Sequence, residues 1–494
     1  NRGYAFAEVK GDTETIDDSN QVDLTFAVIP GKKTYTRKIM FTGNYVTQDE
    51  VLRREMRQFE GAWSSNNSIE AGKVRLERLG YFKEVNVETL PVVGTEDQID
   101  IVYSVEEETT GSVGGNLGYS DFGLMLGFNL QEQNFLGSGN TVGIGINKNI
   151  YSESYNISFV DPYATEDGVS LGYNIYFRET DYGEFNVANY LTNSNGLGAQ
   201  FGYPISDITR LGFSLTYDKT DIDIGTLPAR EIYDFVAAEG NLFETLSAQA
   251  SWQRVTLNRG LFPTSGSSTV LSLSATIPGS DLNYYRANIR QRYYRPLSNN
   301  FVFGFQGELG YLNAYGDTEE TPFFQNFYAG GPRSLRGFES NTLGPRSTDA
   351  PCYEFNYEEE TCPNLIDTDG DGVLDSPYIN PYANTTSRYR DRPIGGNIKI
   401  EGSLQLIFKL PIIEDQRSIR SAFFLDFGNV FSDNCRDYQI NCYKPSVDDL
   451  RYSYGVGVTW ITGFGPLSLA IAKPSNAGPQ ERTEEFQFTV GNVF

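Results

Sequence analysis

Histidine is missing from this chain, although the chain is 494 residues long. A Ser-His-Asp triad, a Cys-His dyad and a His-rich zinc centre all need an imidazole, so these classes of hydrolase are excluded. The sequence also lacks the glycine-rich P-loop that binds nucleotide phosphates. We therefore expect a protein that is not an enzyme.

Positive charge and long apolar runs are also scarce. Lys and Arg number 39 against 64 Asp and Glu, which gives a formal net charge of -25. Because a nucleic-acid partner requires clustered Lys and Arg, this balance argues against nucleic-acid binding. No run of about 18 apolar residues occurs, which excludes a membrane-spanning helix. A transmembrane barrel alternates apolar with polar residues and is not excluded by that criterion.

Cysteine is rare, and its four residues form two close pairs, Cys352 with Cys362 and Cys435 with Cys442. Zinc would need tighter spacing and more ligands. The surrounding segments are polar and rich in Asp, Asn and Pro, so we expect two loop disulfides rather than free thiols, and an oxidising compartment. No signal peptide precedes Asn1, which we interpret as the mark of a processed or truncated chain.

Aromatic residues and glycine are abundant, at 14% Phe, Trp and Tyr together with 50 glycines, a mixture that favours strands. From about residue 109 onward, apolar residues alternate with small or polar ones. The clearest case is RYSYGVGVTW, which places on one face Tyr452, Tyr454, Val456, Val458 and Trp460. Aromatic ends and an aliphatic middle suit a lipid-facing strand, and roughly 20 to 25 residues per strand and connection predict about 16 strands.

A soluble β-sandwich or propeller is the alternative fold for residues 109–494. Either fold needs a second layer or repeated blades to cover its apolar faces, and no repeat of about 40 to 50 residues is present. We therefore predict a mainly β protein in which residues 109–494 form a transmembrane antiparallel barrel.

Residues 30–108 have a different pattern, with the order strand, helix, helix, strand, strand. The first helix lies in EVLRREMRQFEG, and the second begins at Ser68 and ends at Gly80. This order and the segments FTGN, VLRREM and RLGYF resemble the polypeptide-transport-associated (POTRA) family, which implies a periplasmic α+β domain over residues 30–108. Residues 1–29 resemble the closing half of a preceding copy. A generic α+β spacer is the alternative.

Segments along the rest of the chain extend the resemblance. The terminal FQFTVGNVF alternates and ends on an aromatic residue, Phe494, and it occurs together with SWQRVTLNRGLFPTSG, TIPGSDLNYY and FFQNFYAGGPRSLRGFESNTLGP. The chain is thereby similar to the family of central subunits of the bacterial outer-membrane β-barrel assembly machinery. The resemblance implies an outer-membrane location, unfolded outer-membrane barrel proteins as substrates, periplasmic lipoproteins as partners and contact with outer-membrane lipid.

In that family, a long loop folds back into the barrel lumen and carries a V-R-G-F/Y motif at its tip. The matching residues here, with Leu in place of Val, are Leu335, Arg336, Gly337 and Phe338. The resemblance therefore implies a lumen-folded loop over about residues 312–395, with an arginine that contacts acidic residues of the barrel wall.

The sequence also indicates which wall residues face that arginine. Alternation in AFFLDFGNV places Asp426 on the lumen face, where it would pair with the guanidinium of Arg336. The family often has a glutamate on the preceding strand, where this chain has Gln405. Glu401 lies on the same face as Gln405, so either residue could complete the site.

A short acidic motif, DTDGDGVLD, lies between the first cysteine pair and the next strand. Its carboxylates, at Asp367, Asp369, Asp371 and Asp375, are spaced like the first part of an EF-hand loop. The twelfth position is Tyr378 rather than Glu, which removes the bidentate ligand. The motif fits either a weak calcium site or a solvated acidic turn, and we expect no other cofactor.

The first and last barrel strands are candidates for a weak lateral seam. Glycine weakens a strand, and the positions concerned are Gly111, Gly114, Gly115, Gly118 and Gly491, close to the terminal Phe494. Such a seam could open and template a strand of a substrate by edge pairing. The alternatives are that these glycines relieve curvature, and that the chain is a polypeptide-exporting pore of the same superfamily.

Overall fold

A computed structural model of the chain describes residues 3–4, 8–15, 22–120, 123–183, 187–188, 190–224, 229–348, 392–410, 418–436, 439, 442–463 and 465–491. The chain divides into two compact units, which are treated separately. The first consists of Asn1–Val113, Leu130–Gly143 and Phe159–Pro162, and the second of Gly114–Asn129, Ile144–Ser158 and Tyr163–Phe494.

The first unit contains a hairpin and an α+β domain. Its elements are β1 (Glu8–Thr15), β2 (Val22–Ile29), β3 (Tyr35–Thr42), α1 (Asp49–Arg53), α2 (Asn66–Leu79), β4 (Phe82–Pro91) and β5 (Gln98–Glu107). β1 and β2 pair antiparallel, and the other strands form a sheet in the order β3-β5-β4. β5 is parallel to β3 and antiparallel to β4.

Both helices of this domain differ from their predicted bounds. α1 ends at Arg53, where the chain tightens into i to i−3 hydrogen bonds at Glu55 and Met56. α2 begins at Asn66 rather than Ser68, because the side chain of Ser65 accepts the backbone N–H of Ser68 and caps the helix. None of the described helices has the length and apolar character that crossing a bilayer as a helix requires.

Apolar side chains from both helices and the sheet form the core of this domain. Its fully buried members include Leu52, Leu76, Ile99, Ile101 and Tyr103. Each such side chain contributes about 1.5 to 3 kcal/mol by leaving water. The hydroxyl of Tyr103 donates to the carbonyl of Ile69 at 2.9 Å, so the buried phenol does not lack a partner.

The turn after β3 is anchored to the end of β5. Gly43 has φ +89°, and a Cβ there would lie 2.0 Å from the carbonyl oxygen of Val105. The next turn of the chain donates three backbone N–H groups, from Tyr45, Val46 and Thr47, to the carboxylate of Glu107. Partial burial tends to raise the pKa of Glu107, but the bonds from this turn outweigh burial and lower it.

A lowered carboxyl pKa stabilises the folded state at pH values above the ordinary glutamate pKa. That contribution is lost as the pH falls through the lowered pKa, because the protonated carboxyl no longer accepts three strong hydrogen bonds. The position of residues 45–47, directly after the FTGN segment, thus depends on a charge at Glu107.

We expect Glu107→Gln to raise hydrogen exchange at the amides of residues 45–47 by about tenfold at neutral pH, because a neutral amide accepts these bonds less strongly. Exchange followed by mass spectrometry measures the effect. The matched control is Glu106→Gln, which removes only an exposed ion pair to Lys83. Equal exchange in the two variants would contradict the anchoring role.

Over the described residues, sixteen strands form a closed barrel. They are β6 (Gly111–Ser120), β7 (Gly123–Phe135), β8 (Asn140–Lys148), β9 (Ser152–Asp161), β10 (Ser170–Asp181), β11 (Leu191–Ser206), β12 (Thr209–Asp223), β13 (Leu242–Val255), β14 (Gly266–Thr276), β15 (Tyr284–Pro296), β16 (Phe301–Ala314), β18 (Ile398–Phe408), β19 (Ile419–Phe431), β20 (Arg451–Thr462), β21 (Gly465–Pro474) and β23 (Phe486–Val490). A further helix, α3 (Arg230–Glu239), lies between β12 and β13, and two short strands, β17 (Gly337–Phe338) and β22 (Thr483–Glu484), pair with each other.

Alternation along the strands separates an apolar outer face from an inner face. On β20, Tyr454 and Trp460 are about half exposed, as lipid-facing rings would be, while Ser453 and Thr459 are buried. Neighbouring strands pair antiparallel over long registers; β11 and β12, for example, pair from Leu191 to Ser206. The mainly β fold and the strand number agree with the sequence prediction.

The connection from β16 to β18 spans residues 315–397, and its described part folds against the inner face of the barrel. Its apolar side chains Phe327, Leu335, Phe338 and Leu343 are buried together with Val430 of β19. A second apolar cluster lies among the connections at the same end of the barrel and contains Tyr190, Ile232, Phe235, Phe243 and Phe323. The connection is therefore held by packing on two sides.

Candidate functional site

The predicted motif lies in the loop tip, defined here as residues 330–344. Leu335 and Phe338 are fully buried and belong to the apolar cluster that contains Val430 of β19. Gly337 between them has φ +89°, and a Cβ there would lie 3.1 Å from the Cβ of Ala472 on β21. The motif needs glycine at this position because the backbone both turns and lies against the wall.

The guanidinium of Arg336 forms a bidentate ion pair with Asp426 of β19. Its Nε donates to Oδ2 at 2.7 Å and its Nη2 to Oδ1 at 2.7 Å, while the backbone N–H of Arg336 also donates to Oδ2 at 3.2 Å. Nη2 donates in addition to the hydroxyl of Ser403 on β18 at 3.0 Å. The Arg336 guanidinium carbon lies 3.5 Å from the ring centroid of Phe424.

This pair is almost completely removed from water. Arg336 is 6% exposed and Asp426 is 0% exposed. Desolvating two charges costs several kcal/mol per ion, and only good geometry with further hydrogen bonds offsets that cost. The bidentate contact, the backbone N–H, Ser403 and the cation–π contact with Phe424 together provide those interactions.

Neither Gln405 nor Glu401 contacts Arg336 directly. Gln405 donates through Nε2 to the hydroxyl of Ser403 at 3.3 Å and accepts from Arg420 at 3.2 Å. Ser403 therefore links Gln405 to Arg336. Sequence reasoning missed Ser403, although its alternate position between Glu401 and Gln405 on the inner face of β18 was a usable signal.

Glu401 belongs to a separate network on the wall. It forms an ion pair with Lys399 at 2.9 Å and accepts from the hydroxyl of Ser334 in the loop tip. Lys399 also lies 3.7 Å from Glu308 of β16. This network borders a cavity of about 500 Å³ between the loop tip and strands β15, β16 and β18.

The loop tip also contacts the segment that leads into β23. Gly337 and Phe338 pair with Glu484 and Thr483, and the backbone N–H of Gly337 donates to Oε1 of Gln487 at 3.2 Å. Nε2 of Gln487 donates back to the carbonyl of Phe338 at 2.7 Å. Sequence reasoning missed this contact because the register between a loop and a distant strand leaves no local pattern.

The first and last barrel strands, β6 and β23, are neighbours in the closed barrel. Among the described residues, β6 and β23 share one pair, Tyr119 with Val490. The ring of Tyr119 stacks on Phe488, with centroids 5.4 Å apart. Of the glycines predicted to form the seam, Gly118 lies against β23, where a Cβ would be 3.0 Å from the carbonyl oxygen of Val490.

Of the other predicted seam positions, Gly491 also lies at the junction of β6 and β23, whereas the rest lie elsewhere or outside the described residues. A Cβ at Gly114 or Gly115 would be 3.9 or 4.0 Å from backbone oxygens of β7, and one at Gly111 would be 2.9 Å from the side chain of Glu132. Gly491 is close to Gly118, since a Cβ at Gly491 would lie 3.2 Å from the Cα of Gly118. Phe494 is outside the described residues.

Of the two cysteine pairs, Cys435 and Cys442 form a disulfide, with Cα atoms 5.7 Å apart. The other pair, Cys352 and Cys362, lies outside the described residues. So do the four residues of the acidic motif, Asp367, Asp369, Asp371 and Asp375. In the part of the chain that the structure describes, no group of three or more acidic or cysteine side chains is placed to hold a metal ion.

A closed barrel with a loop folded onto its inner wall, together with an N-terminal α+β domain, defines a class of outer-membrane barrel proteins that carry POTRA domains. Residues 134–494 match the family model of the Omp85 superfamily domain. Residues 34–108 match the POTRA model, described as a surface antigen variable number repeat. The chain belongs to the Omp85 superfamily, with its barrel in the bacterial outer membrane and its N-terminal domain in the periplasm.

Two named relatives match the chain over nearly its whole length. The chain is 30% identical over its whole length to outer membrane protein assembly factor BamA of Neisseria meningitidis, and it spans 60% of that relative's length. It is 22% identical to the human sorting and assembly machinery component 50 homolog, with 94% of this chain and 92% of the relative covered.

Two solved structures superpose on nearly the whole chain. BamA from Haemophilus ducreyi lacking POTRA domains 1–3 superposes with a TM-score of 0.79 at 31% identity, and covers 99% of this chain and 90% of that one. CdiB from Escherichia coli has a TM-score of 0.57 at 13% identity, covering 99% and 81%. The second likeness concerns the fold alone.

We expect Arg336→Ala to release the loop tip from the wall. Removing one partner of a buried pair leaves Asp426 unpaired, which typically costs about 3 to 5 kcal/mol. Hydrogen exchange at residues 334–344 measures the release. The matched control is Arg333→Ala, because Arg333 forms no ion pair with the residues that the structure describes. If both variants exchange alike, the ion pair does not hold the loop.

Proposed function

We propose that this protein is an outer-membrane assembly factor, which folds and inserts other β-barrel proteins through a lateral seam between β6 and β23. The observation that carries the proposal is that the first and last strands close the barrel, with Tyr119 of β6 opposite Val490 of β23. Two glycines lie against each other at this junction, since a Cβ at Gly491 would be 3.2 Å from the Cα of Gly118, and glycine weakens strand pairing.

An opened seam would expose the backbone groups of two strand edges. An extended segment of another chain can pair with such an edge through its main chain, with little demand on its sequence. The substrates that fit are unfolded outer-membrane barrel proteins, whose strands must all pair before they enter lipid. The step requires no covalent chemistry and no nucleotide.

The relatives support the same class of activity. The printed name of the Neisseria relative is that of an outer membrane protein assembly factor. We infer that assembly lipoproteins bind on the periplasmic side, where the POTRA domain lies, and that residues 1–29 are the end of a preceding POTRA module. The half-exposed outer rings, such as Tyr454 and Trp460, would contact outer-membrane lipid.

Depletion of the protein in its native cell should lower the amounts of other outer-membrane barrel proteins, because these would lose their route into the membrane. Immunoblotting of porins in outer-membrane fractions measures the result. Complementation with Arg333→Ala should restore the porins. Arg336→Ala should restore smaller porin amounts than Arg333→Ala even when the two variants are present in the membrane at equal amounts. Normal porin amounts after depletion would instead favour a polypeptide-exporting pore.

Closing the seam covalently should stop assembly. Tyr119 and Val490 are directly opposed, and opposed residues in antiparallel strands have Cα atoms about 4.5 to 5.5 Å apart, within the range for a disulfide. We expect Tyr119→Cys/Val490→Cys to lose assembly activity when oxidised and to regain it on reduction, as measured by insertion of a barrel substrate into vesicles containing the protein.

The matched control locks two strands inside the barrel wall. Phe201 and Phe213 are opposed on β11 and β12, and both face outward. Phe201→Cys/Phe213→Cys should keep its activity in both redox states. The unsubstituted chain, treated with the same reductant, corrects for loss of the native Cys435–Cys442 disulfide. Full activity with the Tyr119–Val490 lock formed would rule out lateral opening.

A further inference from the structure

The loop tip forms a connection across the inside of the barrel between two strands that do not pair with each other. At one end, Arg336 is bound to Asp426 on β19. At the other end, Gly337 and Phe338 are bound to Gln487 on β23. Strands β20 and β21 lie between these two in the barrel order. We call this connection the brace: residues 336–338 with the side chains of Asp426 and Gln487.

Gln487 is suited to its place in the brace. Its neighbours on β23, Phe486 and Phe488, are 57% and 41% exposed on the outer face, so alternation turns Gln487 inward, where it is 1% exposed. Both the acceptor and the donor group of its amide bind the loop backbone, because Oε1 accepts from the N–H of Gly337 and Nε2 donates to the carbonyl of Phe338. A buried amide satisfied in this way fixes the distance between strand and loop.

Further contacts join the loop tip to the segment just before β23. The backbone N–H of Glu339 donates to the carbonyl of Arg482 at 3.0 Å, and their side chains form an ion pair at 3.2 Å. The backbone N–H of Arg482 donates to the hydroxyl of Thr342 at 2.9 Å. The loop tip therefore holds β23 at several points along its approach.

Within the sheet, β23 is a short strand of five residues, Phe486–Val490. It pairs with β21 over five residues, from Ile471 with Phe486 to Leu467 with Val490. Its described pairing with β6 is limited to Val490 with Tyr119. A strand this short depends on additional contacts to keep its position.

We propose that Gln487 is a positioning residue for the seam, and that it couples the Arg336–Asp426 pair to the strand that closes the barrel. When the brace is intact, β23 is held inward with Val490 opposite Tyr119. When either end is released, β23 is free to move away from β6. The inference rests on the seam of the proposed function, but concerns the free protein without substrate.

Hydrogen exchange of the full chain in lipid nanodiscs tests the coupling. Gln487→Ala should raise exchange in residues 486–490 and 115–120 by about five- to tenfold, as expected when two buried hydrogen bonds are lost near a marginal strand pair. Exchange in residues 195–203 of β11 should not change. Gln487→Glu should have a larger effect than Gln487→Ala, because its carboxylate would face the carbonyl of Phe338 and the carboxylate of Glu484.

A double-mutant cycle separates a brace from two independent local contacts. Arg336→Ala alone should also raise exchange at residues 486–490, although Arg336 does not contact β23 directly in the contacts described above. In Arg336→Ala/Gln487→Ala, hydrogen exchange at residues 486–490 should exceed that of the stronger single variant by no more than about twofold, because releasing one end of the brace already releases the strand. If Arg336→Ala does not fold, Asp426→Asn releases the same end.

Three results would overturn the proposal. The first is that Gln487→Ala leaves hydrogen exchange at residues 486–490 and 115–120 unchanged. The second is that the increases in exchange from the two single variants multiply in the double variant, and the third is that exchange in residues 195–203 rises as much as exchange at the seam. Because no substrate is present, a failed brace leaves the assembly function open. Conversely, a confirmed brace in a protein whose depletion leaves porins unchanged would contradict the assembly function alone.

Discussion

The ion pair between Arg336 and Asp426 is the interaction on which the arrangement inside the barrel depends. Two charges buried to this degree are tolerated only where all their hydrogen-bonding groups find partners. That requirement fixes the position of the loop tip against β18 and β19, through Ser403 and Asp426. It also explains why Gly337 follows the arginine, since the backbone must turn at φ +89° against Ala472 to bring the next residues onto the wall.

Placement of the loop has consequences for the strand that closes the barrel. With Arg336 fixed, the carbonyl of Phe338 and the N–H of Gly337 point at Gln487 on β23. The same backbone stretch pairs with residues of β22. Polar groups that are buried on a loop cannot be left without partners, so the loop binds the nearest strand with a matching amide. The strand that closes the barrel thus acquires contacts from inside.

Local patterns predicted the architecture well and the site in part. Alternation in segments such as RYSYGVGVTW was sufficient for the strands, because lipid imposes an apolar outer face on every one of them. The inward direction of Asp426 followed from the same period. Ser403 and Gln487 were not identified, since their roles depend on where a distant loop lies. The start of α2 was misplaced because Ser65 and Ser68 are both acceptable caps, and only the turn geometry selects Ser65.

In the proposed function, the seam must satisfy two opposing requirements. A barrel in lipid cannot leave strand edges unpaired, because each unsatisfied backbone group in hydrocarbon costs several kcal/mol. A template for incoming strands must nevertheless offer an edge at low cost. Closure at Tyr119 and Val490, with Gln487 supporting β23 from inside the barrel, meets both requirements. Side-chain contacts from a loop can be released one end at a time, whereas a full ladder of backbone hydrogen bonds between two strands would have to break as a unit. A seam that is held by such side-chain contacts can therefore open without unfolding the barrel.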